Sequence, residues 1–315
     1  MNGEKKVSVI INAYNEEGDI SDCLDSLVEQ GFDDFELVVV DDGSTDKTID
    51  IVKSYSDNLD LKIHRTEHMG LQKARKRGIE ISSGEIMIIV DADEILEPDF
   101  IENMLKPFSD DEVGAVGGIL KSFGKGWVTE AYGTLSEIFY SMRTSGEEVD
   151  WIQGGCSAFR RKALMETGGF TTQDTSEDKD ISWKLKDAGW KVVLSRDAIA
   201  HHKDPQNMGS VMNREYHIGE REFSLLKGHT GRFSWKELSR FYPLAGLILL
   251  AFVPFYLQLI FLLIAGVFLT WIGLVYLIHK NVEDANICIS VKSWVVLTMI
   301  NLAWSTGFIK SGLRL

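Results

Sequence analysis

Short apolar runs alternate with polar turns along the first third of the chain. Val7-Ser8-Val9-Ile10-Ile11-Asn12 has the composition of a strand and ends in the polar turn Ala13-Tyr14-Asn15-Glu16-Glu17-Gly18. Ile20, Cys23, Leu24 and Leu27 recur at helical spacing between Asp19 and Gln30, and Gly31 closes that helix. Phe35 to Val40 is a second strand, followed by Asp41-Asp42-Gly43-Ser44-Thr45-Asp46-Lys47-Thr48 and a helix from Thr48 to Tyr55. A weaker strand, Asp60 to His64, leads through Met69-Gly70 into a basic helix from Leu71 to Glu80. Ser83-Gly84 then turns into Glu85-Ile86-Met87-Ile88-Ile89-Val90-Asp91-Ala92-Asp93-Glu94, where a β-branched run stops at two carboxylates.

Alternating strands and helices with short connections predict an α/β fold, a mainly parallel sheet flanked by helices. Ligands bind such sheets at the carboxyl ends of the strands. Three of those ends carry acids or amides here: Asn12 to Glu17, Asp41-Asp42, and Asp91 with Asp93. Asp and Asn are common in turns, but turn chemistry does not require three acidic ends on one rim. Paired hard oxygen donors beside Glu94 suit Mg²⁺ or Mn²⁺ rather than Zn²⁺. The plainer alternatives are that Asp91 caps the segment that Pro98 and Asp99 open, that Asn15 and Asp42 hold turns, and that Tyr14 packs.

Together, Val9-Ile10-Ile11-Asn12-Ala13-Tyr14-Asn15-Glu16, Val40 to Thr48 and Asp91-Ala92-Asp93 resemble, in order and rough spacing, family 2 glycosyltransferases of the GT-A fold. The likeness runs over roughly residues 5 to 225. It implies that Ala13, Tyr14 and Glu16 line a nucleotide pocket and that Asp41 bonds the base or ribose. Asp91 would face the ribose or a metal, and Asp93 would ligate the metal that bridges the donor diphosphate. Gly70, Ala74 and Arg75 match a further family segment, with Lys76 in place of a frequent Asn. Arg75 would then reach the nucleotide, although a solvated basic helix face explains the same residues.

The acceptor half starts with a helix from Pro98 to Lys106 and a strand at Val113 to Gly118. Residues 121 to 150 show little periodicity, with aromatic residues at Phe123, Trp127, Tyr132, Phe139 and Tyr140. Trp151-Ile152-Gln153-Gly154-Gly155-Cys156-Ser157-Ala158-Phe159-Arg160-Arg161 resembles the family's Gly-rich strand, where glycines would let backbone approach a sugar. A short helix follows and ends at Gly168. Ser176 is placed to cap the next helix, with Ile181, Trp183 and Leu185 turned inward. That arrangement leaves Glu177 and Asp178 at the helix start, where they either complement the dipole or act on substrate. The segment resembles the family's Glu-Asp motif, which makes Asp178 the general base for an acceptor hydroxyl and Glu177 its neighbour. A single base implies direct displacement with inversion. Asp180 is a weaker candidate. A strand follows at Lys191 to Leu194, and of His201 and His202, His202 is the candidate metal ligand. No Gln-x-x-Arg-Trp follows residue 200, which disfavours a processive synthase.

Composition changes the picture at the far end. The 315-residue chain has a formal charge of −14, which excludes a general nucleic-acid binder. Cys23, Cys156 and Cys288 show no pairing pattern, so reduced thiols are expected. The first six residues lack an apolar signal region, so the catalytic part should face the cytoplasm. Between Tyr242 and Ile278 only Gln258 and the Tyr and Trp side chains interrupt apolar, Gly, Pro and Thr residues. A second such stretch runs from Ser293 to Ile309. One span needs about 20 residues, so two or three transmembrane helices are expected, three by length and two by the cytoplasmic bias of Lys310 and Arg314. The expected organisation is a catalytic domain over 1–228, with a nucleotide-sugar half over 1–110 and an acceptor half over 111–228. A juxtamembrane and transmembrane part would cover 229–315. The whole implies a multi-pass enzyme of the cell membrane that uses a UDP- or GDP-sugar and Mg²⁺ or Mn²⁺. Its acceptor would be lipid-linked or a surface glycan, presented beside membrane lipids. A polyprenyl-phosphate glycosyltransferase and a non-catalytic nucleotide-sugar binder are the alternatives. A nucleotidyltransferase is disfavoured, because the loop after the first strand is acidic and has no Lys or Arg.

Overall fold

A computed structural model describes residues 6–141, 146–171, 176–229, 243, 257–281 and 287–313. The chain divides into two compact units, Met1–Lys121 with Arg143–Lys203, and Ser122–Met142 with Asp204–Leu315.

The first unit is laid down in the predicted order. It begins with β1 (Val7–Ala13), α1 (Ile20–Val28), β2 (Phe35–Asp41), α2 (Thr48–Lys53), β3 (Leu61–Arg65), α3 (Leu71–Ile81) and β4 (Ile86–Asp91). β1 and β2 are buried at every position, as a strand covered on both faces must be. β1 pairs in parallel with β2 and β4, and β2 pairs in parallel with β3. This register sets Ala13 beside Asp41, Asp41 beside Arg65, and Asn12 beside Asp91. Three acidic strand ends thus share one rim, as the alternation predicts.

The later part of the sheet is not parallel. After β4 come β5 (Glu94–Leu96), α4 (Phe100–Leu105), a short 3₁₀ turn and β6 (Val113–Phe123). Then follow α5 (Trp127–Ser141), β7 (Ser157–Arg160), α6 (Arg161–Glu166), α7 (Glu177–Asp187) and β8 (Lys191–Lys203). The full order is β3-β2-β1-β4-β7-β6-β8-β5. β7 runs antiparallel to β4 and β6, and β5 antiparallel to β8. The sheet is therefore mixed, and the expected mainly parallel order holds for its nucleotide half alone. β5 has three residues, too few to show a period, and exists through its pairing with β8. β8 runs nine residues past the expected end, through polar Ser195, Arg196 and Asp197, to the stretch that pairs with β5. α5 forms where the sequence showed little period.

In α7 the expected inward residues are buried: Ile181, Leu185 and Trp183 are 0%, 0% and 8% exposed. Ser176 sits at the N-cap but makes no side-chain capping bond. The Asp178 carboxylate instead accepts the Lys179 backbone N–H at 2.9 Å.

The second unit contains α5, α8 (Met208–Gly228), α9 (Leu257–Asn281) and α10 (Ile287–Leu313). α8 and α10 cross closely. A Cβ at Gly219 would overlap the Trp304 carbonyl, and one at Gly307 the Tyr216 carbonyl. Buried Trp304 donates its indole N–H to Glu222 at 2.9 Å. Among the described residues one helix is long and apolar enough to cross a membrane, over Cys288–Gly312, with a shorter apolar segment at Leu263–Ile278. Residues 242 and 244–256 of the expected Tyr242–Ile278 stretch lie outside the described residues.

Candidate active site

The rim at the carboxyl ends of β1, β2 and β4 carries the candidate chemistry. Its two leading loops are zipped together. The Asn15 backbone N–H donates to Ser44 Oγ at 2.9 Å, and Thr45 N–H donates to the Asn15 side chain at 2.9 Å. Asn15 sits at φ +57°, a left-handed conformation that Asn tolerates. Asp42 accepts from the backbone N–H groups of Met69 and Gly70, each at 2.8 Å, and from Thr66 Oγ1 at 2.9 Å. Asn15 and Asp42 therefore hold turns, as the plainer alternative had it.

Asp41 and Arg75 are both buried and paired within the protein. The Asp41 side chain is fully buried, accepts from Ser44 N–H at 3.1 Å, and lies 3.1 Å from Arg65 Nε. Arg75, only 2% exposed, is not on a solvated helix face. It pairs with Glu177 and, through Nη2 at 3.1 Å, with Asp91. Burial opposes the charge of Arg75, yet the carboxylates of Glu177, Asp91, Asp178 and Glu94 hold its pKa above the ordinary value. Asp91 and Glu177 stand far apart in sequence, and one buried guanidinium ties them together.

Asp91 and Asp93, which alternate along an extended chain, take different partners. Asp91 turns to Arg75, whereas Asp93 turns to His202, whose Nε2 lies 3.3 Å from its carboxylate. His202 reaches it because β5–β8 pairing sets Glu94 opposite His202. His201 points to Glu97 at 3.2 Å. Asp180 is paired with Lys184 on its own helix at 2.5 Å.

The glycines before β7 serve the carboxylates. A Cβ on Gly154 would meet Arg75 Nη1 at 2.8 Å. On Gly155 it would collide with Asp91 and lie 2.6 Å from Glu94 Oε1. These residues make room for the Arg75 cluster, a role that the resemblance to an acceptor strand did not suggest.

Glu94 and Asn12, which the sequence placed only beside the acid pair and at the first strand end, are buried polar residues of the rim. Glu94 is completely buried, and its Oε2 accepts the Asp91 backbone N–H at 3.2 Å. Glu94 Oε1 and both side-chain polar atoms of Asn12 are buried without hydrogen-bond partners. The run Asp91-Ala92-Asp93-Glu94 offered one signal for Glu94, a third acid directly after the pair.

Arg75 and His202 do not relieve every carboxylate of the cluster. Burial, with Asp93, Asp19, Asp91 and Asp46 nearby, pushes the Glu16 carboxyl up to about 7. Burial raises Asp93, His202 pulls it back, and Asp91 adds to the rise. Burial and Asp91 push Glu94 well above the carboxylate range. Such a field, edged by hard oxygen donors and one imidazole, fits a divalent cation. Among the described residues no three His, Cys, Asp or Glu side chains form a ready-made ion cage, so an ion here would draw further ligands from a bound phosphate or water.

Tyr14 and His68 stack at the other side of β1, ring centroids 4.0 Å apart, and both are largely exposed. Ala13, the last residue of β1, is buried at the centre of the rim.

Residues 8–168 match the family profile described as Glycosyl transferase family 2. The poly-beta-1,6-N-acetyl-D-glucosamine synthase of Staphylococcus aureus is 26% identical over 65% of this chain, and the match spans about half, 52%, of that synthase. Glycosyltransferase AglE of Haloferax volcanii is 29% identical, over 79% of this chain and 81% of its own length. Among solved structures, the mannosyltransferase PcManGT of Pyrobaculum calidifontis, in complex with GDP-Man and Mn²⁺, superposes with a TM-score of 0.65 at 21% identity. That match covers 98% of this chain and 88% of the other. S. aureus TarS 1–349 with UDP-GlcNAc gives 0.55 at 19% identity, covering 96% and 92%. At these identities the structural likenesses carry the fold, which is of the GT-A type.

Proposed function

The chain belongs to glycosyl transferase family 2, and we propose that it moves one sugar from a UDP- or GDP-sugar to a hydroxyl, with inversion at the anomeric carbon. The observation that carries this is the buried bridge from Asp91 through Arg75 to Glu177. It ties the start of α7, and with it Asp178, to the strand end that carries the Asp91-Ala92-Asp93 run. Asp178 would take the acceptor proton as the new bond forms. Glu177, 8% exposed and held by Arg75, would position Asp178 rather than touch substrate. Ala13, Tyr14 and Glu16 would line the nucleotide pocket, with the nucleoside end toward Asp41 and Arg65.

Asp93 and His202, with the free edge of Asp91, would hold Mg²⁺ or Mn²⁺. When bound, the ion would neutralise charge on the leaving nucleoside diphosphate. The solved mannosyltransferase in complex with GDP-Man and Mn²⁺ supports a divalent cation as the partner of the donor.

The second unit would tether the chain to a membrane. α10 is long enough to cross it, and Ile264, Phe268, Leu269 and Tyr276 of α9 are 55–67% exposed, an apolar face suited to lipid. The apolar stretch from residue 242 would supply the remaining crossing or crossings, with the catalytic unit on the cytoplasmic side. The acceptor is then a lipid-linked sugar or a growing surface glycan.

The test is nucleoside diphosphate release from UDP- and GDP-sugars with a lipid-linked acceptor, with and without Mn²⁺. The expected result is release that requires both acceptor and metal. Donor binding with no release under any acceptor would make the chain a nucleotide-sugar binder instead.

A further inference from the structure

Lys203 and Asp19 belong to no motif, yet they meet beside the acid rim. Lys203 is the last residue of β8, one step beyond His202. The β5–β8 pairing that sets Glu94 opposite His202 brings this strand end to the turn from Asp91 to Glu94. From there Lys203 Nζ donates to Asp19 Oδ1 at 2.7 Å, across 184 positions of sequence. Asp19 stands just before α1 and makes no side-chain capping bond to that helix, which leaves its carboxylate for Lys203. Its backbone N–H donates to the Glu16 carbonyl at 3.1 Å, which fixes it against the loop that carries Glu16.

Three segments therefore border the acids: the loop after β1, the turn from Asp91 to Glu94, and the end of β8. β1–β4 pairing joins the first to the second, and β5–β8 pairing joins the second to the third. The Lys203–Asp19 ion pair joins the third back to the first. Charge acts across this ring. Beside burial, Asp19 is one of the carboxylates that push Glu16 and Asp93 up. Asp19, with Asp93 and Asp22 beyond it, favours the charged form of Lys203 in turn. Lys203 differs from buried Arg75 in being displaceable. Its side chain is 43% exposed and that of Asp19 29%, and exposed ion pairs hold weakly. A divalent ion at Asp93 would repel Lys203 and attract Asp19.

We propose that Lys203, held beside the rim by Asp19, is an internal counter-cation that competes with Mg²⁺ or Mn²⁺ and makes metal loading depend on the donor diphosphate. The proposal rests on the reading of Asp93 and His202 as metal ligands. A bare ion joins the acids against the repulsion of the ammonium. An ion that arrives with a diphosphate brings negative charge that offsets this repulsion. Asp19 is the positioning residue: without it the ammonium is released toward Asp93.

The experiment titrates Mn²⁺ into the full chain in detergent, with and without inorganic pyrophosphate, and reads free Mn²⁺ by electron paramagnetic resonance. Lys203→Met should bind Mn²⁺ alone about threefold or more tighter than wild type, the scale of a screened unit charge acting on a divalent ion. Lys203→Arg keeps the charge and should match wild type. The gain in Mn²⁺ affinity that pyrophosphate brings should be smaller in Lys203→Met than in wild type. Asp19→Asn should weaken Mn²⁺ binding, and should weaken it less in the Lys203→Met background, where no ammonium is released. Both side chains are part exposed, so the variants should keep wild-type circular dichroism.

Unchanged binding of Mn²⁺ alone in Lys203→Met would overturn the proposal. So would weaker Mn²⁺ binding confined to the samples with pyrophosphate, which would make Lys203 a phosphate ligand. An Asp19→Asn loss of equal size in both backgrounds would show two independent charges and overturn the positioning role. Equal Mn²⁺ uptake by wild type and every variant would sink this proposal alone. Wild type that takes up no Mn²⁺, with or without pyrophosphate, would remove the metal assignment and this proposal together.

Discussion

Replacing Arg75 with Met removes the charge that joins two halves of the site while keeping much of the side-chain volume. Arg75 is 2% exposed and pairs with Glu177, whose side chain is 10% exposed, and with Asp91, at 33%. The substitution leaves a buried Glu177 carboxylate without its cation, next to a region where Glu94 and Asp93 are already hard to ionise. Removing one partner of a buried pair costs about 3–5 kcal/mol. For a unit of this size each kcal/mol moves Tm by about 2–4 °C, so Arg75→Met should lower Tm by roughly 6–20 °C. Adding Glu177→Gln should restore part of the loss, because the stranded charge disappears. The assay is thermal unfolding of both single variants and the double variant, read as a double-mutant cycle. A loss below about 1 kcal/mol, as for an exposed ion pair, with additive single effects would refute the buried-bridge account.

Three further outcomes follow. Asp93→Asn and His202→Ala should each weaken Mn²⁺-dependent donor binding while leaving metal-free binding near wild type, checked by titration with and without EDTA; equal losses in both conditions would remove the metal role. The Glu16 carboxyl is raised in the folded chain from an ordinary 4.5 to about 7, so the native state holds its proton longer than the unfolded chain. That contribution falls as pH rises from about 4.5 to about 7, and Mn²⁺ with UDP should flatten the fall; a Tm that is flat across this window without ligand would contradict it. In flotation assays the full chain should rise with liposomes through its second unit, and recovery wholly in the unbound fraction would contradict lipid contact by α9 and α10.

The nucleotide half of the fold was legible in the sequence because both its signals are local. Strand runs such as Leu37 to Val40 are apolar throughout, and each ends at a polar turn. The acceptor half was less legible because long-range pairing makes its strands. Glu94-Ile95-Leu96 becomes β5 only against β8, and that pairing alone brings His202 to Asp93. The site shows the same division. The acids at Asp91, Asp93, Glu177 and Asp178 could be named from sequence. Their partners could not: Arg75 turned inward as a bridge, and Arg65 covering Asp41 reflects β2–β3 register. Gly154 and Gly155 illustrate the point. Their residue type was visible, but the atoms they make room for are distant in the chain.

The most direct test of the account is Asp178→Asn, measured for donor binding and for single-turnover sugar transfer to a lipid-linked acceptor. An amide of the same shape keeps the start of α7 intact but cannot accept the proton. Donor affinity should stay within about twofold of wild type, a difference below about 0.5 kcal/mol, and transfer should fall by at least about a hundredfold, the lower end for loss of a general base. Transfer that survives in Asp178→Asn would contradict the assignment of Asp178 as base and favour an acceptor that arrives already ionised, such as a polyprenyl phosphate.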